Sequence, residues 1–161
     1  METFRRGRGL LALAACLAMW CPAAMAMETK PALSLDIAKK MIAACEAKAK
    51  QEGWKMNVAV VDDGANLVAF ERMDGAQLAS IQIAEHKARA SATFRRETKV
   101  FEKGIQQSGN LYVMTLDGMI GSRGGIPLVE GGKLVGAIGC SGGTGSQDEV
   151  ACKAGVAAII K

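Results

Sequence analysis

Apolar residues recur at helical spacing in Leu35, Ile37, Ala38, Met41, Ile42, Cys45 and Ala49, with Ser34 placed to cap the run and Gly53 to stop it. The pattern then turns to strands. Met56 to Val61 and Leu67 to Arg72 flank Asp62-Asp63-Gly64-Ala65-Asn66, which has hairpin turn chemistry. From Ala79 to about Arg95 a second helix runs without a breaker, and a shorter helical piece follows around Lys99 to Gln106. Tyr112 to Leu116 fits a strand or a helix end, and Gly118, Gly121, Gly124 and Gly125 break any regular pattern after it. Ile126 to Glu130 and Lys133 to Cys140 form a second hairpin across Gly131-Gly132, and Gln147 to Ile160 is a closing helix. Counting Tyr112 to Leu116 as a strand gives the order α-β-β-α-α-β-β-β-α. That order predicts an α+β domain with an antiparallel sheet of about five strands and helices packed on it.

The start of the chain reads differently. Arg5, Arg6 and Arg8 precede the apolar run Gly9 to Trp20, and Ala24-Met25-Ala26 supplies a small-x-small cleavage site, so residues 1–26 are expected to be a secretory signal peptide. Gly7-Arg8-Gly9 after Arg5-Arg6 favours general secretion over the twin-arginine route. Leu13-Ala14-Ala15-Cys16 also spells a lipobox, but the apolar run continues through Cys16 to Trp20, which favours cleavage after Ala26 over a lipid anchor. The expected product is a periplasmic or secreted single domain, 27–161. Three arginines and one glutamate leave with the leader, lowering the formal charge from +4 to +2. No nucleic-acid footprint remains, because the bases are scattered and Trp54, Phe70, Phe94, Phe101 and Tyr112 are not interleaved with a basic stripe. No mature apolar run has the length of a membrane span. Three cysteines remain, Cys45, Cys140 and Cys152. Their apolar settings favour small buried hydrophobes over a disulfide, and the lack of Cys-x-x-Cys excludes thioredoxin-like and zinc-finger chemistry.

The candidate chemistry centres on Gly136 to Glu149, an apolar strand, a glycine-dense loop and polar residues that open a helix. Ser146 is expected to cap that helix, with Glu149 as the reaching-back carboxylate of a capping box. Helix-start N–H groups attract anions, so the loop is also a candidate ligand edge. A dinucleotide fold is rejected because the glycines follow a hairpin rather than open a βαβ unit, and no Gly-Lys-Ser/Thr makes a P-loop. Gly139-Cys140-Ser141-Gly142-Gly143 mimics a nucleophile elbow, yet the chain's single histidine, His86, lies before the serine instead of after it. A single histidine also argues against a multi-histidine metal centre. No convincing catalytic constellation emerges. On the second helix Ile81, Ala84, Ala88 and Ala92 form the sheet-facing stripe, while His86 lies opposite with Ala79, Ile83, Ala90 and Phe94. A second apolar stripe calls for a cover, either another subunit or a flat apolar ligand. An imidazole there suits an interface hydrogen bond and also iron ligation.

The block Ser80 to Arg96, then Gly124-Gly125-Ile126-Pro127-Leu128, then Gly136-Ala137-Ile138-Gly139 with Ser141-Gly142-Gly143-Thr144-Gly145 and Gln147-Asp148, resembles the GlcG/HbpS family of haem-binding proteins. The same domain forms the C-terminal part of PduO-type proteins. The resemblance spans nearly the whole mature chain, in order. It implies a profilin-like fold, a homo-oligomer, and binding of haem or a related tetrapyrrole, with sequestration or degradation as the role. If haem is the ligand, His86 is the candidate axial ligand. The propionates would meet the Ser141, Gly142, Gly143, Thr144 and Gly145 segment, with Thr144 as donor, or Arg123. The alternative is a periplasmic accessory protein or enzyme that holds a small carboxylate or aldehyde at the glycine loop, with Asp148 or Glu149 as acid/base.

Overall fold

The computed structural model describes residues 29–159, so the leader 1–26 lies outside the described residues. Helix α1 (Leu35–Glu52) starts where the Ser34 hydroxyl accepts from the Ile37 N–H at 3.3 Å. It ends at Gly53, whose φ of 74° lets its N–H return to the carbonyls of Ala49 and Lys50. Strands β1 (Asn57–Asp62) and β2 (Leu67–Arg72) form the first hairpin. At its turn the Asp62 carboxylate accepts from the N–H groups of Gly64 and Asn66, 2.9 and 2.8 Å away. Helices α2 (Ala79–Phe94) and α3 (Lys99–Ser108) follow, then a 3-10 turn (Leu111–Thr115), strands β3 (Gly125–Glu130) and β4 (Lys133–Ser141), and helix α4 (Gly145–Ala157).

The sheet order is β2-β1-β4-β3, antiparallel throughout, so the two hairpins join through their inner strands. Among the described residues the sheet therefore has four strands where about five were expected. Tyr112 to Leu116 is not a strand: Gly109 closes α3, and the following N–H groups bond locally, Val113 to Asn110 O and Leu116 to Val113 O. A segment whose backbone is satisfied by its own neighbours has no need of a sheet edge.

Strand β1 sorts its residues by alternation into two cores. Val58 and Val60 pack with α1 and α4 around Met41, Ile42, Cys45, Ile138 and Ala151, whereas Ala59 and Val61 face Ala84, Ala88 and Ala92 of α2. The α2 side is thin, built of alanines and glycines. Gly125 and Gly139 are directly opposite each other on β3 and β4. A Cβ on Gly125 would collide with the Lys87 carbonyl, and one on Gly139 with the Ala84 carbonyl, so helix backbone rests on sheet backbone here. This close approach fixes where α2 delivers its side chains.

The structure corrects the expectation for the cysteines. All three are buried as anticipated, but Cys140 and Cys152 are disulfide-bonded, tying the end of β4 to α4, and Cys45 is a free thiol. Packing α4 against β4 brings the two Cα atoms to 5.6 Å, inside bonding range.

Candidate functional site

The glycine loop is spent largely on starting α4. Thr144, in extended conformation, is the cap: its hydroxyl accepts from the Gln147 N–H at 3.4 Å, and the Gln147 side chain accepts from the Thr144 N–H at 2.8 Å. This corrects the expected pair of Ser146 and Glu149. Strand β4 runs on to Ser141, so Thr144 is the last residue outside the helix and Ser146 already lies in its first turn. Ser141 itself is buried, and its carbonyl accepts from the Asn57 side-chain amide at 3.4 Å. Gly143 donates its N–H to Asp148 Oδ1 at 3.0 Å.

Behind the loop lies a buried ion pair. Lys87, 1% exposed, donates from Nζ to Asp148 Oδ2 at 2.6 Å and to the Cys140 carbonyl at 3.2 Å. Burial pushes the Asp148 carboxyl above its usual range, and the Lys87 ammonium pulls it back only in part. Lys87 was not singled out from the sequence. Its signal was available: it sits in the small-residue stripe of Ala84, Ala88 and Ser91, where a lysine must find an internal partner.

Around this pair runs a ring of charged side chains from α3, α4 and the segment before β3. Arg123 donates its N–H, Nε and guanidinium to Glu102 at 2.6 to 2.8 Å, and its other Nη stands 3.7 Å from Glu149. Glu149 also accepts from Lys99 at 2.7 Å and Lys153 at 2.5 Å. Burial raises both glutamates, but these cations outweigh it and hold the two carboxyls below their usual range. The structure thus gathers Arg123 with Ser141 to Gly145, as a self-satisfied bracket. Gly145 lies against the Arg123 side chain, and the donors of Gly143 and Thr144 are engaged within the chain.

His86 is placed elsewhere. It is exposed on α2, and its side chain makes no hydrogen bond or ion pair among the described residues. The stripe it shares with Ile83 ends at Phe94, which opens a groove of about 220 Å³ lined also by Arg96, Val100, Phe101, Gly104, Asn110 and Tyr112. Phe94 meets Phe101 edge to face at 5.1 Å, and the Arg96 guanidinium lies 5.8 Å from the Phe101 ring centre. Arg96 has no carboxylate partner among the described residues. Val100, Leu111, Tyr112, Met114 and Leu116 leave a large apolar surface uncovered beside the groove, with Tyr112 66% exposed. The sequence places Phe94 on the second apolar stripe with His86, but leaves Tyr112 in a segment that fits a strand or a helix end, so nothing local joins the two.

Among the described residues no group of three or more His, Cys, Asp or Glu could hold a metal ion, and no helix is long and apolar enough to cross a membrane. The family described as "Haem degrading protein HbpS-like" matches residues 33–157. Protein GlcG of Escherichia coli strain K12 is 38% identical over 115 residues, covering 71% of this chain and 85% of GlcG. Among solved structures, HbpS superposes with a TM-score of 0.76 at 30% identity, covering 84% of this chain and 95% of HbpS. The PduOC:haem complex superposes with a TM-score of 0.74 at 26% identity, covering 81% of this chain and 96% of PduOC.

Proposed function

This chain belongs to the HbpS-like family of haem-degrading proteins, and from that premise we propose that it binds haem on the apolar groove at the end of α2 and holds it outside the cytoplasm. The observation that carries the reading is the groove itself. Phe94, Val100, Phe101 and Tyr112 supply an apolar lining, and Arg96 is a cation left without a carboxylate among the described residues. These residues fit a tetrapyrrole: the rings would hold the macrocycle and Arg96 one propionate. His86, the exposed imidazole on the same stripe, is the candidate axial ligand, standing about 12 Å along the helix axis from Phe94. Bound haem would supply a redox-active iron. The loop residues Ser141 to Gly145 and Arg123 support the neighbouring framework, since their contacts are made within the chain.

A groove of about 220 Å³ covers less than a whole macrocycle. A second copy laid over Leu111, Tyr112 and Met114 would complete the enclosure, so the reading includes a homo-oligomer. The Arg5-to-Ala26 leader supports export, and mass analysis of secreted protein should find Met27 as the first residue. Haem titrated into the purified protein should give a shifted Soret band that saturates. Tyr112→Ala should weaken it, and His86→Ala should change its position. No saturable band sinks the haem reading, and an unchanged spectrum in His86→Ala removes His86 from the iron. Slower loss of the band in peroxide than for free haem is the expected sign of sequestration.

A further inference from the structure

Lys30, Arg95 and Lys133 are distant in sequence, yet the fold brings them to one cleft of about 310 Å³ that Asp63, Gly132 and Leu134 complete. Four separate segments meet there: the residues before α1, the β1–β2 turn, the end of α2 and the β3–β4 turn. Among the described residues Asp63 is the one carboxylate in this lining, against three cations. It pairs with Lys30, and Lys133 donates to the Thr29 carbonyl at 3.2 Å. Arg95 is exposed, and its guanidinium has no hydrogen bond or ion pair among the described residues.

Arg95 is also held in an unfavourable backbone. It closes α2 at φ 54° and ψ 40°, in the left-handed region that strains an L side chain. Two other helices of this chain close in the same region, and both use glycine there, Gly53 and Gly109. A cation does suit a helix C-terminus, but Arg96 next door already provides one. The strained position therefore has a side chain where glycine would serve the fold better, and that side chain faces a cationic cleft without a partner.

We propose that this cleft binds a small, multiply charged oxyanion, a phosphate or a polycarboxylate. Arg95 supplies a planar pair of donors, and Lys30 and Lys133 supply further positive charge. The site is separate from the haem groove, which is lined by Phe94 and Arg96 but not by Arg95.

Calorimetric titration of the purified protein at low salt, once with inorganic phosphate and once with citrate, tells the two ligand types apart. One of them should saturate at a single site per chain. Arg95→Ala should weaken that binding about tenfold or more. Asp63→Asn should tighten it by removing the one opposing carboxylate, an effect that a damaged fold cannot produce. Arg95→Gly should lose the anion as fully as Arg95→Ala while melting at a higher temperature than Arg95→Ala, because glycine accepts the left-handed turn. Heats that saturate with neither anion, or equal binding by the wild type and Arg95→Ala, overturn the proposal. So does a parallel loss of haem binding in Arg95→Ala, which would make the cleft part of the haem site.

Discussion

Lys87 shows how much one side chain can carry in a core this thin. Among the described residues its ammonium is the only cation bonded to buried Asp148, and it also donates to the Cys140 carbonyl near the end of β4. Lys87→Met should cost about 3–5 kcal/mol in denaturant unfolding, since it leaves a buried carboxylate unpaired. The loss should be smaller at acidic pH than at alkaline pH, because Asp148 is already displaced upward by burial and would take a proton once its partner is gone. Asp148→Leu in the same chain should recover part of the stability. Cys45 makes a second test at this scale. Burial pushes its thiol up to about 12, so the thiolate is scarce near neutrality. Alkylating reagents should leave Cys45 unmodified in the native protein and label it only on unfolding. Fast native labelling would contradict its burial. The burial of Cys45 is legible in its apolar helical setting, whereas a lysine in a helical stripe does not announce which partner the fold will bring.

Among the elements, α2 matters most, because it lies across β1, β4 and β3 and sends residues to the buried pair on one side and the open stripe on the other. Its seat depends on having no side chain beneath it. Gly139→Ala should lift α2 from the sheet and cost about 1–3 kcal/mol, seen as a lower thermal midpoint. It should also loosen Lys87 from Asp148, whereas alanine at exposed Gly131, strained there by a φ of 55°, should lower the midpoint without loosening that pair. Most elements here were legible from periodicity and punctuation: Ser34 and Gly53 do bound α1, and both hairpins pair across the turns expected. The failures share a cause. At Tyr112 to Leu116 and at Ser146, local residue types allowed two conformations, and hydrogen bonds within the segment chose between them.

The molecule as a whole is held at one end by the ring of Glu102, Arg123, Glu149, Lys99 and Lys153, which joins α3, α4 and the segment before β3. Glu102 and Glu149 have folded-state carboxyls below the usual 4.5, despite a burial that opposes this. Their contribution is therefore fully present above that value and is lost as pH falls through the lower folded values. Asp148 runs in the opposite sense and offsets part of that loss. Stability measured from pH 6 down to pH 3 should fall, and Glu102→Gln should flatten the curve; an unchanged slope would show that the ring contributes nothing to acid stability. Apart from the segment at Tyr112 to Leu116, the order of helices and strands, the family, and the residues available for chemistry can all be read along the chain, because hydrophobic period and turn chemistry act over a few residues. Which of those residues meet is set by the β2-β1-β4-β3 order and by the backbone contact under α2. These pair Lys87 with Asp148, commit the glycine loop to capping, and gather Lys30, Arg95 and Lys133 into one cleft. Such meetings join positions tens of residues apart, and no local pattern encodes them.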